Sequence, residues 1–593
     1  MTTEVAAGAF QRIASVAEVK ETGLHTVQVN GHVIVLVDHE NEIYALDNRC
    51  PHMGFPLDRG SVHDGILTCH WHHARFDLCT GGSFDLWADD TPSFPVEVRN
   101  GDVFVDVTPR HDPVEHQRHR LGVGLERNLS LVVAKAAITM VDEAGDTLSP
   151  FAAGLEFGAR YRMEGWGQGL TMLTCFQNLL PSLGREDRAR ALAHGLAAVA
   201  ADSAGSSPRF LVTPLPDGSP DLKTLKQWFR RFILVRDAEG AERCIITALR
   251  SGAGPQEMAD ILFSAATDFR YIDVGHPLDF TNKAFEALDI VGWEQAEAVL
   301  TSLVPGYASA RRMEESNAWR NPIDLIDVLG DARAQIPAAL AAGQGQRGLW
   351  AGRAELVEVL LRDDPHAIAE ALLAALRSGA SEVELAGAVT YAAALRIARF
   401  HTSNEFGDWD TALHTFTFAN AVHQGLRRLE GYAPPDEYQL LLRGVFDAAM
   451  SIYLDRFLNI PAARLPAANG TNGAAPSLPA LDDMLDQQQQ VNEAGNAVGR
   501  YLFEGGGAEA LRAELGALLL REDRNFHTIQ CIEAAFRQHD LLSADPNSQE
   551  EAVLVLVAAA RYLAAHAPTM RAQGQTFGIA RRLHRNEKLF EGE

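Results

Sequence analysis

The sequence predicts an α+β multidomain chain, with a small all-β domain over residues 1–108, a linker over 109–128 and a large, mostly α-helical domain over 129–593. Three observations carry this. Short β-branched runs such as His32-Val33-Ile34-Val35-Leu36-Val37 and Val103-Phe104-Val105-Asp106-Val107 occupy the first part of the chain. The dipeptides Asn30-Gly31, Asp64-Gly65, Gly81-Gly82 and Asn100-Gly101 punctuate them and supply the positive φ angles of tight hairpins. After about Leu129, alanine-rich segments with apolar residues three and four apart take over, as in Ala367 to Leu376 and Val383 to Phe400. Between the two, Pro109 to Asn128 is polar and lacks either period, which reads as a linker. A stretch rich in Ala, Pro, Gly and Asn over 461–479 reads as a disordered loop.

Composition narrows the function. With 593 residues, 52 Lys+Arg and 78 Asp+Glu, the chain carries a formal charge of −26. At about 150 residues per domain the length is enough for roughly four domains with large cores. Nucleic acid and anionic lipid both select basic patches, so the acidic balance argues against either partner. The apolar run Ala552 to Ala560 is too short to span a bilayer, and no charged segment followed by an apolar one opens the chain. A cytoplasmic location is expected. Six cysteines in so long a chain are too few for a disulfide scaffold; Cys175, Cys244 and Cys531 read as small buried hydrophobes.

The chemistry concentrates in Cys50-Pro51-His52, sixteen residues, then Cys69-His70-Trp71-His72. Two thiolates and two imidazoles can bind zinc or a two-iron cluster. The single residue between Cys50 and His52 is unlike zinc fingers, whose paired ligands stand two to four apart, and suits a cluster with both cysteines on one iron and both histidines on the other. Cys50-Pro51-His52-Met53-Gly54-Phe55-Pro56-Leu57 with Gly60, and Cys69-His70-Trp71-His72-His73-Ala74-Arg75-Phe76-Asp77 with Gly81-Gly82, resemble the two cluster loops of the Rieske [2Fe-2S] family. The resemblance implies a [2Fe-2S] cluster with Cys50 and Cys69 on one iron, His52 and His72 on the other. His70 and His73 stand where that family usually has Pro and Gly. Cys79 lacks a partner for the loop-tying disulfide of respiratory members, and Ala74 replaces a hydroxyl that would donate to cluster sulfur. Fewer donors disfavour the reduced cluster, so a potential of about −150 mV is expected.

A cluster of this kind moves single electrons, so bond chemistry is sought in the helical region. The D-x2-H-x4-H iron motif of ring-hydroxylating Rieske oxygenases is not found there; His111 and His116 sit in the linker without the preceding Asp. His276, at the start of a helix opened by Pro277, His414, on a helix running through Phe418 and Ala421, and His527, before an apolar stripe of Ile529 and Phe536, are the candidate ligands of a mononuclear non-haem Fe(II). His423 lies half a turn from His414 and cannot share its metal, whereas His401 stays eligible. His566, near a helix end, is explained by the helix dipole. His276-Pro277-Leu278 with Ala284-Phe285-Glu286, Asp410 to Thr415, and Asp523 with His527 are similar to motifs of the questin-oxidase-like family, with Phe280 where that family tends to have a second histidine. That resemblance implies histidine-ligated iron, oxidative opening of anthraquinone-type rings and a carboxylated lysine, for which Lys283 is placed. The plain alternative, a surface pair of Asp279 and Lys283 at i,i+4, is favoured. Glu314, Glu315, Glu405 and Asp408 read as solvated, and no E-x-x-H pair of a di-iron site is present.

The expected function is a Rieske-type oxygenase. The cluster would relay electrons to the mononuclear iron, which would activate dioxygen against a small aromatic or polyketide-like substrate in an apolar pocket. No G-x-G-x-x-G follows a strand, so a separate reductase or ferredoxin must donate electrons. A homo-oligomer is expected by analogy with Rieske oxygenases. The alternatives are an electron-transfer or redox-sensing protein whose helical region binds a partner, and a helical region that serves only oligomerisation.

Overall fold

The computed structural model describes residues 10–108, 112–216, 220–467, 477–585, 587 and 589. Two compact units emerge, one formed by 1–150 together with 572–593, the other by 151–571.

The first unit carries the strands. β1 (Phe10–Ser15), β2 (Leu24–Val29), β3 (His32–His39), β4 (Glu42–Asp47), β5 (Ser61–His63), β6 (Ile66–Thr68), β7 (Arg75–Asp77), β8 (Ser93–Phe94), β9 (Val96–Arg99) and β10 (Asp102–Asp106) form three antiparallel sheets, ordered β1-β10-β9, β2-β3-β4-β8 and β5-β6-β7. The apolar run of β3 does not alternate with polar residues because both of its faces are covered. Ile34 and Leu36 enter one core with Ala45, Val103 and Val105. Val35 and Val37 enter a second with Leu46, Leu67 and Phe76, and this second core contains Cys50 and Cys69. The turn residues behave as their types require: Asn30, Asp64 and Asn100 take positive φ, each followed by a positive-φ glycine.

Two departures from expectation concern the edges of this unit. The stretch read as a linker carries a helix over Pro113–Glu126, capped by Asp112 and burying Arg120, Leu121 and Leu125. Its apolar positions are sparse because much of its buried side pairs charges, and a charged buried face leaves no hydrophobic period to read. The helix Ala572–His584, by sequence the last part of the helical region, instead packs in the first unit against the helix Ser130–Ile138. His111 and residues 468–476 of the stretch expected to be disordered lie outside the described residues; 461–467 and 477–480 contain neither helix nor strand.

The second unit is built of helices. Pro365–Arg377 and Glu382–Ala398 match the periodic segments, the latter opening on a capping box at Ser381. Among the described residues, no helix is long and apolar enough to cross a membrane.

Candidate metal centres

The first site is made by two loops with the same backbone design. In one, the Cys50 N–H donates to the Phe55 carbonyl at 2.9 Å and the Gly54 N–H returns to the Cys50 carbonyl at 2.7 Å. In the other, Cys69 N–H donates to Ala74 at 2.8 Å and His73 N–H returns to Cys69 at 3.0 Å. The fifth residue of each loop, Gly54 at φ 79° and His73 at φ 65°, turns left-handed. His73 therefore occupies the place where glycine costs least, and it pays some strain to do so. In each loop the N–H groups two and three residues after the cysteine, His52 and Met53 in one and Trp71 and His72 in the other, donate to that cysteine's sulfur and favour its thiolate. The two buried sulfurs meet: the Cys50–Cys69 hydrogen bond holds the Cys69 thiol down and, with burial, pushes Cys50 up.

The imidazoles lie outward of the sulfurs. His72 is exposed and His52 half-buried, their rings 4.8 Å apart, with Trp87 4.7 Å from His52 and Trp71 4.1 Å from His72. Burial, then His72 and Lys135, push the His52 pKa down to about 4. Its Nδ1 is buried with no hydrogen-bond partner. A neutral imidazole with an orphaned lone pair beside two buried cysteine sulfurs that meet each other fits an iron–sulfur cluster. One zinc ion fits less well. Ligands of a single tetrahedral ion crowd together, yet Cys50, His52, Cys69 and His72 are not among the groups whose donor atoms all fall within 4.8 Å of one another. Cys79 is exposed and free.

Two groups among the described residues do meet that distance. Asp89, Asp90 and His116 form one, but Asp89 already pairs with Arg120 at 2.9 Å and hydrogen-bonds His116 at 3.1 Å and Gln117 at 2.9 Å, which makes it an ion-pair node. Close to it the Lys135 ammonium donates to the Pro51 carbonyl, between Cys50 and His52.

The other group is His276, His414 and His527, all half-buried. They come from three helices, His276–Val291, Asp408–Arg428 and Phe526–Ser543. His414 Nε2 and His527 Nε2 are 3.0 Å apart, and the His276 ring lies 4.8 Å and 5.7 Å from the other two. The approach to His276 is strained. Tyr271, Asp273 and Val274 have φ of 43°, 42° and 50°, and Gly275 has 99°. Left-handed backbone is costly for a β-branched valine and is kept where surroundings over-determine it. Gly275 is needed for a second reason, since a Cβ there would stand 2.8 Å from Cβ of Phe418, on the His414 helix. The third histidine follows the cap Asn525, whose side chain accepts from Thr528 N–H.

The electrostatics keep most of this site uncharged. Burial, with the neighbouring histidines, pushes His414 down to about 3; burial likewise brings His527 to about 4. Burial pulls His276 down as well, but the Asp279 carboxylate, 3.4 Å from its Nδ1, outweighs that and raises it. Asp410 lies 4.0 Å from His527 Nδ1, accepts from the Tyr562 hydroxyl at 2.8 Å and stands 3.8 Å from His566 Nε2. Burial pushes Asp410 up, and these partners overcome it to leave the carboxyl at about 2. Carboxylates behind imidazoles are the usual outer partners of metal-binding histidines. Three imidazoles with donor nitrogens within 4.8 Å of one another, two of them held neutral by burial and two backed by carboxylates, fit a divalent transition metal. Phe280 and Phe526 flank His276, each with ring centroids 5.4 Å from it.

Several expectations are corrected here. Asp279 and Lys283 are not a surface pair: both are 2% exposed, Asp279 facing His276 and Lys283 bonded to Glu286 at 2.8 Å and Glu533 at 2.5 Å. The i,i+4 spacing is real, but this helix buries the face that carries it. Held between two carboxylates, Lys283 is kept protonated, which argues against carboxylation of its nitrogen. His401 is outside the triad and bonds Ser403. His566 does more than meet a helix end. It is buried, its Nδ1 lies 2.9 Å from the Tyr562 carbonyl, and it reaches Asp410 and lines a cavity of about 680 Å³ with Phe406, Trp409, Asn525 and Thr528. The only hint in the sequence was Asp410 standing four residues before His414 on one helix. His423 stays apart from the triad, its Nδ1 3.2 Å from Gln538.

Residues 9–95 match the Rieske [2Fe-2S] domain. Over 88 residues the chain is 34% identical to the ferredoxin component of the naphthalene 1,2-dioxygenase/salicylate 5-hydroxylase systems of Ralstonia sp, covering 15% of this chain and 85% of that protein. Over 168 residues it is 25% identical to apoptosis-inducing factor 3 of Homo sapiens, covering 28% of this chain and only 26% of that protein's length. Among solved structures, the ferredoxin of carbazole 1,9a-dioxygenase from Nocardioides aromaticivorans IC177 is similar at 25% identity and a TM-score of 0.17, covering 17% of this chain and all of that one. The domain match over residues 9–95 and the 34% identity to a ferredoxin component covered over 85% of its length show that the chain belongs, through that domain, to the Rieske [2Fe-2S] family.

Proposed function

We propose that the protein is a Rieske-type non-haem iron oxygenase. Cys50 and Cys69 would hold one iron of the cluster and His52 and His72 the other, with His276, His414 and His527 as ligands of a separate mononuclear iron. The observation that carries this reading is the convergence of three imidazole nitrogens within 4.8 Å from helices far apart in sequence. When bound, ferrous iron supplies a site for dioxygen and one-electron chemistry. The chain's own contributions are positional. Asp279 and Asp410 orient His276 and His527, and Phe280 and Phe526 keep water from one side of the triad. The cavity of about 680 Å³ is the proposed seat of an aromatic or polyketide-like substrate. Its walls pair Phe406 and Trp409 with amides and hydroxyls, a mixed surface in place of the purely apolar pocket expected. Electrons would come from a separate reductase or ferredoxin.

Metal analysis with oxygen uptake tests this. The expected content is three irons per chain, falling to two in His414→Ala with the cluster's paramagnetic signal unchanged, and substrate-dependent oxygen consumption only in the parent. Two irons in both proteins and no oxygen uptake with aromatic substrates would overturn it. A second reading, a Rieske electron-transfer protein with a partner-binding helical unit, is favoured by the ferredoxin component covered over 85% of its length. It predicts two irons per chain and full electron transfer in His414→Ala.

A further inference from the structure

Lys135 is the one lysine placed against a cluster loop among the described residues. It stands on the helix Ser130–Ile138, beyond the matched domain, where Val132, Val133, Ala134, Ala136, Ala137 and Ile138 are all buried. Its ammonium donates to the carbonyl of Pro51, the single residue between Cys50 and His52. The charged and titratable groups facing it are Asp89, Arg120, the Cys50 sulfur and the His52 imidazole. Asp89 is shared among Arg120, His116 and Gln117, so its carboxylate is already engaged by other donors. The anchoring extends to the chain's other end. The helix Ala572–His584 packs on the Lys135 helix, Arg49 donates to the Glu587 carbonyl at 2.7 Å, and a Cβ on Gly54 would meet Leu583 and Leu589 side chains at 3.1 and 3.2 Å.

We propose that Lys135 is a positioning residue of the redox centre, one that raises the cluster's reduction potential through its charge beside the Cys50 loop. Reduction adds one electron from an external one-electron donor, with no bond made or broken and no proton required, so the cluster gains one negative charge. A fixed cation in a poorly solvated place beside the cysteine loop stabilises that added charge far more than one in water would.

The test is a redox titration of the full-length holoprotein followed by electron paramagnetic resonance. Lys135→Gln keeps an N–H donor for the Pro51 carbonyl and removes the charge. Its reduction equilibrium constant should fall about tenfold, a shift of about 59 mV to lower potential for one electron. Lys135→Arg should restore the parent midpoint, which a merely structural role for the side chain would not require. An unchanged midpoint in Lys135→Gln with an intact cluster spectrum overturns the proposal. Should that variant fail to load its cluster, Asp89→Asn decides, because removing the facing anion should raise the midpoint and an unchanged or lower value is equally fatal. No substrate, dioxygen or second iron enters the measurement, so its outcome is separable from the oxygenase reading.

Discussion

The two candidate centres are built on opposite plans. The cysteine–histidine site uses two short loops, each closing on itself through the same pair of backbone hydrogen bonds, with donors two and three residues beyond each cysteine. Almost everything that orients its groups is local. The histidine triad uses three helices whose histidines stand 113 residues apart at the nearest pair, and nothing local orients them toward one another. Their meeting depends on close helix packing, on a run of left-handed residues before His276 and on carboxylates supplied by other turns. A site of the first kind tolerates changes in the surrounding body; one of the second kind inherits every packing error around it.

That contrast can be broken in one experiment of large effect. Cys69→Ser should abolish the cluster outright, with loss of visible absorption and acid-labile sulfide. Iron bound at the triad should remain, so simultaneous loss at both sites in a folded protein would show that they are not independent. Next in size is Gly275→Ala. Its methyl would press on Phe418 and occupy a left-handed position, costing about 1–3 kcal/mol in the thermal unfolding of the helical unit and lowering iron retention at the triad. The cluster spectrum should be untouched. Asp279→Asn leaves packing in place and removes the acid behind His276; metal titration should show affinity weakened by about 10–100-fold.

The smallest effect is a pH dependence confined to the helical unit. Burial pushes the Asp455 pKa up to about 7, while Thr415 on the His414 helix hydrogen-bonds its carboxyl at 2.7 Å. An unfolded chain releases that proton near 3.9. The folded chain therefore binds more protons between the two values and loses stability as pH rises from about 4 to 7, with no further loss from this group above 7. Asp455→Asn should gain on the parent in melting temperature across that interval and hold a constant difference above it; calorimetry from pH 4 to 8 reads this out.

How much of each site could be read beforehand follows from the same contrast. Cys50, His52, Cys69 and His72 were legible because a local loop leaves a local spacing. His276, His414 and His527 were legible more indirectly, through helix starts and aromatic stripes that happen to flank them. Asp279 and Asp410 were visible as residues but not as partners, since i,i+4 spacing does not say which helix face is buried. The helix Pro113–Glu126 escaped because Arg120 and His116 spend its inner side on Asp89, so no apolar stripe marks it. The fate of Ala572–His584 was out of reach for another reason: periodicity announces a helix and is silent about which body it joins.

The return of that last helix has a consequence for assembly. Because 572–593 complete the same body as 1–150, the intervening 421 residues amount to an insertion within it. During synthesis the strands of the first unit emerge before the insert, whereas Leu583, Glu587 and Leu589, which seat against Arg49 and Gly54, emerge only after it. The first unit therefore closes only after the whole helical insert has been translated, so its folding is tied to the completion of the second unit.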